Sequence, residues 1–271
     1  MRKFKLINAN GQEFDLMRKD AFFYNISGLG FGIEAEYTRV GNKYFAQNQR
    51  EKQLTPGGTI SFAGYAQHNE FRSFCRAGGL VLAFMPLDTW YYLDVNIDIS
   101  HSDISKNTRR LECEIRFMGI SHWYEKVTAQ KAEEDTSAGK TYPYTYPYTY
   151  SNNRPGTIDV QGGNLPSSCE IHIFGPCTNP AFVVTKGGQR IADGRVFCEL
   201  AAGRKLVINS DPVDMEIAEY TTDNQRIADR YNASDFETDR IVQIPAGNCR
   251  FTFTQEGNGI VTAFVEVKKL V

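Results

Sequence analysis

The sequence predicts an all-β protein, built mainly as two antiparallel β-sandwich-like domains, the first of which carries a helix. Three observations predict it. Apolar and polar residues alternate in short runs, turn residues separate those runs, and no strand–helix–strand unit repeats. A chain of 271 residues is long enough for two such domains, each with its own core. The predicted layout is an N-terminal domain over 1–128, a Tyr/Pro-rich linker over 129–155, and a C-terminal sandwich over 156–271.

The opening hairpin pairs residues 4–7 with 13–16 across the turn Asn10-Gly11, a dipeptide suited to tight hairpin turns. Residues 32–40 alternate Ile33, Ala35 and Tyr37 before the turn Gly41-Asn42, and residues 59–65 alternate Ile60, Phe62 and Gly64. Both read as strands with one buried face. Residues 66–77 read as a helix. Phe71, Phe74 and Cys75 fall at i, i+3 and i+4, and Gly78-Gly79 supplies a left-handed stop. The apolar run 80–85 reads as a central strand. Residues 92–99 alternate, as do 110–118 through Leu111, Cys113, Ile115 and Phe117.

Near residue 126 the character changes. A polar stretch leads to a repeated Tyr-Pro-Tyr-Thr unit over 141–150, where each proline holds the preceding tyrosine extended and cannot donate to a ladder. An extended linker is the expected role. Strands are then expected at 170–174, 181–185, 195–200, 205–209, 214–220, 241–244, 249–254 and 261–267. Residues 223–239 read as a turn with one helical turn.

Composition excludes several function classes. Hydrophobic residues at 41% and charged residues at 23% are globular values, and a net charge of −2 without a basic run gives no electrostatic footprint for nucleic acid. The basic start lacks the apolar stretch of a signal peptide, and no window reaches the length of a membrane span. A soluble protein made in the cytosol is the expectation. Six scattered cysteines without a CxxC pair do not form a disulfide framework. Cys169 and His172 have a ligand-like spacing, but alternation sends them to opposite faces of a strand, so no metal is expected.

The search for catalysis is equally spare. The run Gly28-Leu-Gly-Phe-Gly32 has neither the spacing nor the following helix of a phosphate loop. His68, His101, His122 and His172 are dispersed. The carboxylate pairs Glu112/Glu114 and Asp235/Glu237 have the chemistry of glycoside hydrolysis, yet residues at i and i+2 on a strand ordinarily form a solvated face. No catalytic, cofactor-binding or metal site is predicted, and the protein is expected not to be an enzyme. Trp90 and Trp123, in PLDTWYY (86–92) and RFMGISHWY (116–124), suit packing or an aromatic interface.

The order of these pieces resembles the distal tail proteins of siphophages that infect Gram-positive hosts. The resemblance is carried by the opening hairpin, Asn25-Ile-Ser-Gly-Leu-Gly-Phe31, the helix ending at Gly78-Gly79, residues 82–86 followed by 90–95, and residues 111–117 with Trp123-Tyr124. It implies a non-enzymatic virion protein, a distal tail hub at the tail tip, synthesised in the host cytoplasm. Its N-terminal domains form a hexameric ring, possibly stacked, which meets the tail-tube protein, the tail-associated baseplate protein and, in some members, a receptor-binding protein. Neither sequence-specific nucleic-acid contacts nor a membrane is implied. An arm from each subunit clasps the next, and residues 39–55 are the expected arm. The C-terminal sandwich is implied to be similar to a galectin or carbohydrate-binding module. The absence of an aromatic pair in its loops, where 186–194 and 221–235 offer only Tyr231, argues against direct glycan binding. The competing readings are a carbohydrate-binding adhesin and an enzyme acting on cell-wall polysaccharide.

Overall fold

The computed structural model describes residues 2–100, 104, 109–130, 156–257 and 261–270. The chain forms two compact units, residues 1–125 and 126–271. Every strand pairing among the described residues is antiparallel, and they contain one α-helix, Tyr65–Cys75. That helix is too short to cross a membrane. Residues 131–155, including the Tyr-Pro repeat, lie outside the described residues.

In the first unit, Lys3–Ile7 pairs with Glu13–Asp15 on one side and Val81–Met85 on the other. The intervening turn is held by Asn8, whose side-chain oxygen accepts the backbone N–H groups of Asn10 and Gln12 at 3.1 and 3.0 Å. The long strand Tyr91–Ile99 serves two sheets. Residues 91–94 pair with 81–84, whereas 95–99 pair with 115–119 of Leu111–Gly119. The second sheet continues through Gly57–Phe62 to Ala21–Ser27. One strand thus turns the corner that closes the core.

Aromatic side chains fill that core edge to face. Phe4 meets Phe23 at 5.6 Å, Phe23 meets Phe117 at 5.8 Å, and Phe14 meets Phe71 of the helix at 5.1 Å. Such pairs contribute beyond their buried area. The helix buries Phe71, packs Phe74 and Cys75 against the same core, and stops where Gly78 adopts φ +71°. The Gly78 carbonyl then accepts the Ala9 N–H at 2.9 Å, tying the helix end to the opening hairpin.

Gly58 sits inside this sheet opposite Ile115. A Cβ there would meet the Tyr24 carbonyl oxygen at 2.6 Å and the Phe23 ring at 2.9 Å, neither at the free end of a flexible chain. Gly58→Ala is therefore expected to cost about 1–3 kcal/mol, the usual range for overpacking. Denaturant unfolding would show it as a lower midpoint with unchanged slope.

The second unit packs two sheets over one apolar core. The first runs Arg226–Asp229, Glu216–Thr221, Arg204–Asn209, Cys169–Phe174, Thr262–Leu270. The second runs Gly156–Gln161, Asn248–Thr254, Ala181–Lys186, Gln189–Arg195. Ile171, Ile173 and Ile208 from one face Phe182, Val184, Phe251 and Phe253 from the other. A sandwich results, as the alternation predicts. Some elements differ from expectation. Residues 186–194, read as a loop, form the turn and outer strand of a hairpin, because Gly187 and Gly188 both take positive φ and let the chain fold straight back. Residues 241–244 give only a bridge, Ser167 to Ile244. Residues 223–239 hold the expected helical turn, a 3₁₀ turn at Tyr231–Ala233, after an unexpected strand, Arg226–Asp229.

One charge is fully enclosed in this unit. Glu219 is 0% exposed. Its Oε1 accepts Arg204 Nη1 at 2.7 Å, and its Oε2 accepts Arg230 Nε at 3.0 Å and also Arg230 Nη2. Two arginines from different segments compensate one carboxylate, which is what burial of that charge requires.

Candidate assembly surface

The strands Ile33–Val40 and Lys43–Glu51 pair with each other and with nothing else among the described strands. Gly41-Asn42 joins them. Gly41 at φ +62° supplies the positive first central position of a tight hairpin turn. The base is closed by a hydrogen bond from Lys52 N–H to Gly32 O at 2.8 Å. It is fixed to the body by Gln53 Nε2 donating to Gly119 O at 2.8 Å and by Leu54, buried in the core. Within the hairpin, Asn48, at φ +51°, donates from Nδ2 to Glu36 at 2.9 Å where the register shifts between Glu34 and Glu36.

The hairpin overlaps the stretch 39–55 expected to form an arm, but its limits differ. Residues 32–40 were expected to bury one face, but Ile33, Tyr37 and Val40 stand 60–66% exposed, so the arm begins at 33 and not at 39. The register sets Tyr37 and Tyr44 on one side, with Val40 and Phe45 on the other. Tyr44 is 68% exposed and Phe45 53%. An isolated two-stranded hairpin is marginal in water, and its open edges and exposed aromatics are the features that other chains pair with.

Elsewhere the sequence candidates are separated. Cys169 is buried in the core, and burial raises its thiol to about 12. His172 lies on the other side of that strand, its Nε2 2.6 Å from Glu170 and its Nδ1 3.1 Å from Lys205. The hydrogen bond from His172 holds Glu170 below the usual carboxylate range. Glu112 and Glu114 share the outward side of Leu111–Gly119. Asp235 instead accepts the Glu237 N–H at 3.0 Å in a turn. Trp123 packs against the first core, with its ring 6.1 Å from Phe84, and Trp90 lies under Lys5 Nζ at 4.7 Å. The Trp123 indole nitrogen is buried without a partner among the described residues.

Residues 3–120 match the family model of the distal tail protein, N-terminal domain, a span that covers nearly all of the first unit. The first unit is similar to the distal tail protein N-terminal domain. The hairpin lies within the matched span and connects two of its paired sheet strands, Ala21–Ser27 and Gly57–Phe62. Beyond this domain, the fold of the whole chain is similar to a chain of the phage P2 baseplate in its activated conformation with calcium. There the TM-score is 0.72 at 15% identity, over 100% of this chain and 99% of the other. The same baseplate with strontium gives the same values. The SPP1 Dit protein, described as a paradigm of the hub adsorption apparatus in phages infecting Gram-positive hosts, matches with a TM-score of 0.60 at 12% identity over 99% of both chains. None of the curated proteins matches the sequence.

Proposed function

We propose that this chain is the distal tail hub of a siphophage or prophage: a non-enzymatic virion protein whose copies close a hexameric ring between the tail tube and the baseplate proteins. The observation that carries the reading is the arm. A distal tail protein domain that extends a 19-residue hairpin (33–51), exposed nearly throughout, presents an edge that a second copy of the same domain completes. Contact between two different surfaces of identical subunits repeats by rotation, and it closes as a ring where that rotation divides a full turn. The second unit, a sandwich of galectin-like type in this reading, faces the other tail-tip components. In this reading the protein works at the tail tip of the virion, after synthesis in the host cytoplasm.

The mass of the purified protein by light scattering, with negative-stain images of the same peak, tests it. Six copies in a ring with a central channel are expected. A single-copy mass at every concentration, with no rings in the images, would overturn ring closure through the arm.

A further inference from the structure

We propose that the groove between the helix Tyr65–Cys75 and the strand Tyr91–Ile99 receives the root of the arm, residues 31–36, from a second copy of this chain. The inference rests on the ring reading above and names the surface that the arm of one copy meets on the next. The groove measures about 560 Å³, and Phe71, Cys75, Ile97 and Ile99 form its apolar floor. Arg72 and Arg76 stand exposed on its rim, one helical turn apart. Neither forms an ion pair among the described residues, and Glu70, the one acidic residue of the helix, is held by Arg18 at 3.0 Å. No carboxylate lines the groove. An apolar strip with an uncompensated positive edge is thus left facing water.

The root of the arm has the complementary character. Phe31 is 77% exposed, the highest value for an aromatic side chain among the described residues. It stands between Gly30 and Gly32, which put no side chain over it. Ile33 is exposed as well, and Glu34 and Glu36 follow it, both exposed. Two apolar groups and two carboxylates within six residues match an apolar floor edged by two guanidiniums. Glu34 pairs with Arg50 at 3.3 Å, a surface contact that is worth little in water. Exchanging Arg50 for Arg72 or Arg76 beside a covered apolar floor strengthens the pair as water leaves. The tip of the arm carries Arg39 and Lys43, the wrong sign for this rim, so the fit selects the root. A phosphate-bearing ligand would satisfy the arginines and leave the floor in water. Each copy gives its root and offers its groove, so one contact repeats from copy to copy.

Charge reversal on the full chain tests it, read by light scattering with negative-stain images. Arg72→Glu with Arg76→Glu reverses the rim, and Glu34→Arg with Glu36→Arg reverses the root. All four positions are exposed, so both variants should keep the wild-type thermal midpoint. Each alone is expected to weaken the contact between copies roughly tenfold or more, so that rings are lost where the wild type holds them. Mixed in equal amounts, the two variants should assemble again, because each reversed root then meets a reversed rim in alternation. A misfolded variant would not be rescued in this way. Rings of wild-type mass from either folded variant alone overturn this inference and leave the ring reading standing. Loss of rings in both, without rescue on mixing, overturns the pairing of root with groove. Absence of rings from the wild type overturns both readings. If the rim variant forms normal rings yet fails to enter tails, the groove takes another tail protein and not a second copy.

Discussion

Excising residues 33–51 and joining Gly32 to Lys52 is expected to leave a folded protein that no longer forms rings. The excised residues contribute no side chain to either core, and the two flanking residues already share a backbone hydrogen bond of 2.8 Å. The thermal midpoint should therefore move little. The assembly should be lost, because the arm carries the exposed Tyr37, Tyr44 and Phe45, and fully burying one aromatic side chain is worth about 1.5–3 kcal/mol. Calorimetry on the excised and intact proteins reads the first effect, and light scattering reads the second. Intact rings from the excised protein would show that another surface closes the assembly.

The largest stability effect is expected at Glu219. Glu219→Ala removes the carboxylate that both Arg204 and Arg230 bind; because the two guanidiniums are themselves part-exposed and regain water, the cost is about 1.5–3 kcal/mol. Burial by itself raises the Glu219 pKa, but the hydrogen bonds and charges of Arg204 and Arg230 outweigh that and hold it below the usual carboxylate range. A folded-state pKa below the unfolded value gives stability that is present above the unfolded pKa and lost as pH falls through the folded one. The wild type should thus exceed Glu219→Gln in thermal midpoint at neutral pH, and the gap should narrow on acidification. Calorimetry across that range checks both statements. A gap that widened in acid would mean that the carboxylate is not held ionised by the two arginines.

Much of the fold is legible because local pattern and final burial agree. The helix was visible in Phe71, Phe74 and Cys75 with Gly78-Gly79 beyond them, and Leu111, Cys113, Ile115 and Phe117 announced a strand with one buried face. The same rule misled at Ile33, Ala35 and Tyr37. Alternation reports that one side is apolar; it does not report whether the cover comes from the same chain or from another. The contact between Tyr231 and Phe236 was hidden for a different reason. Tyr231 and Phe236 lie in an irregular segment with no period to read, and only the 3₁₀ turn and Arg240 bring their rings together. Nothing local marks Glu219 within the strand expected at 214–220, since its two arginines lie 15 residues before it and 11 after.

The hydrogen bond between Gly32 and Lys52 has a consequence for inheritance. Because the arm leaves and re-enters the body at one point, its length and residues are free to change without disturbing any strand register behind it. An arm exchanged between two such chains would carry with it the choice of neighbour. In the proposed ring, two related tails built in one host would rely on this short loop of sequence to keep their subunits from mixing. Such proteins can diverge in whom they assemble with while the body that does the assembling stays the same.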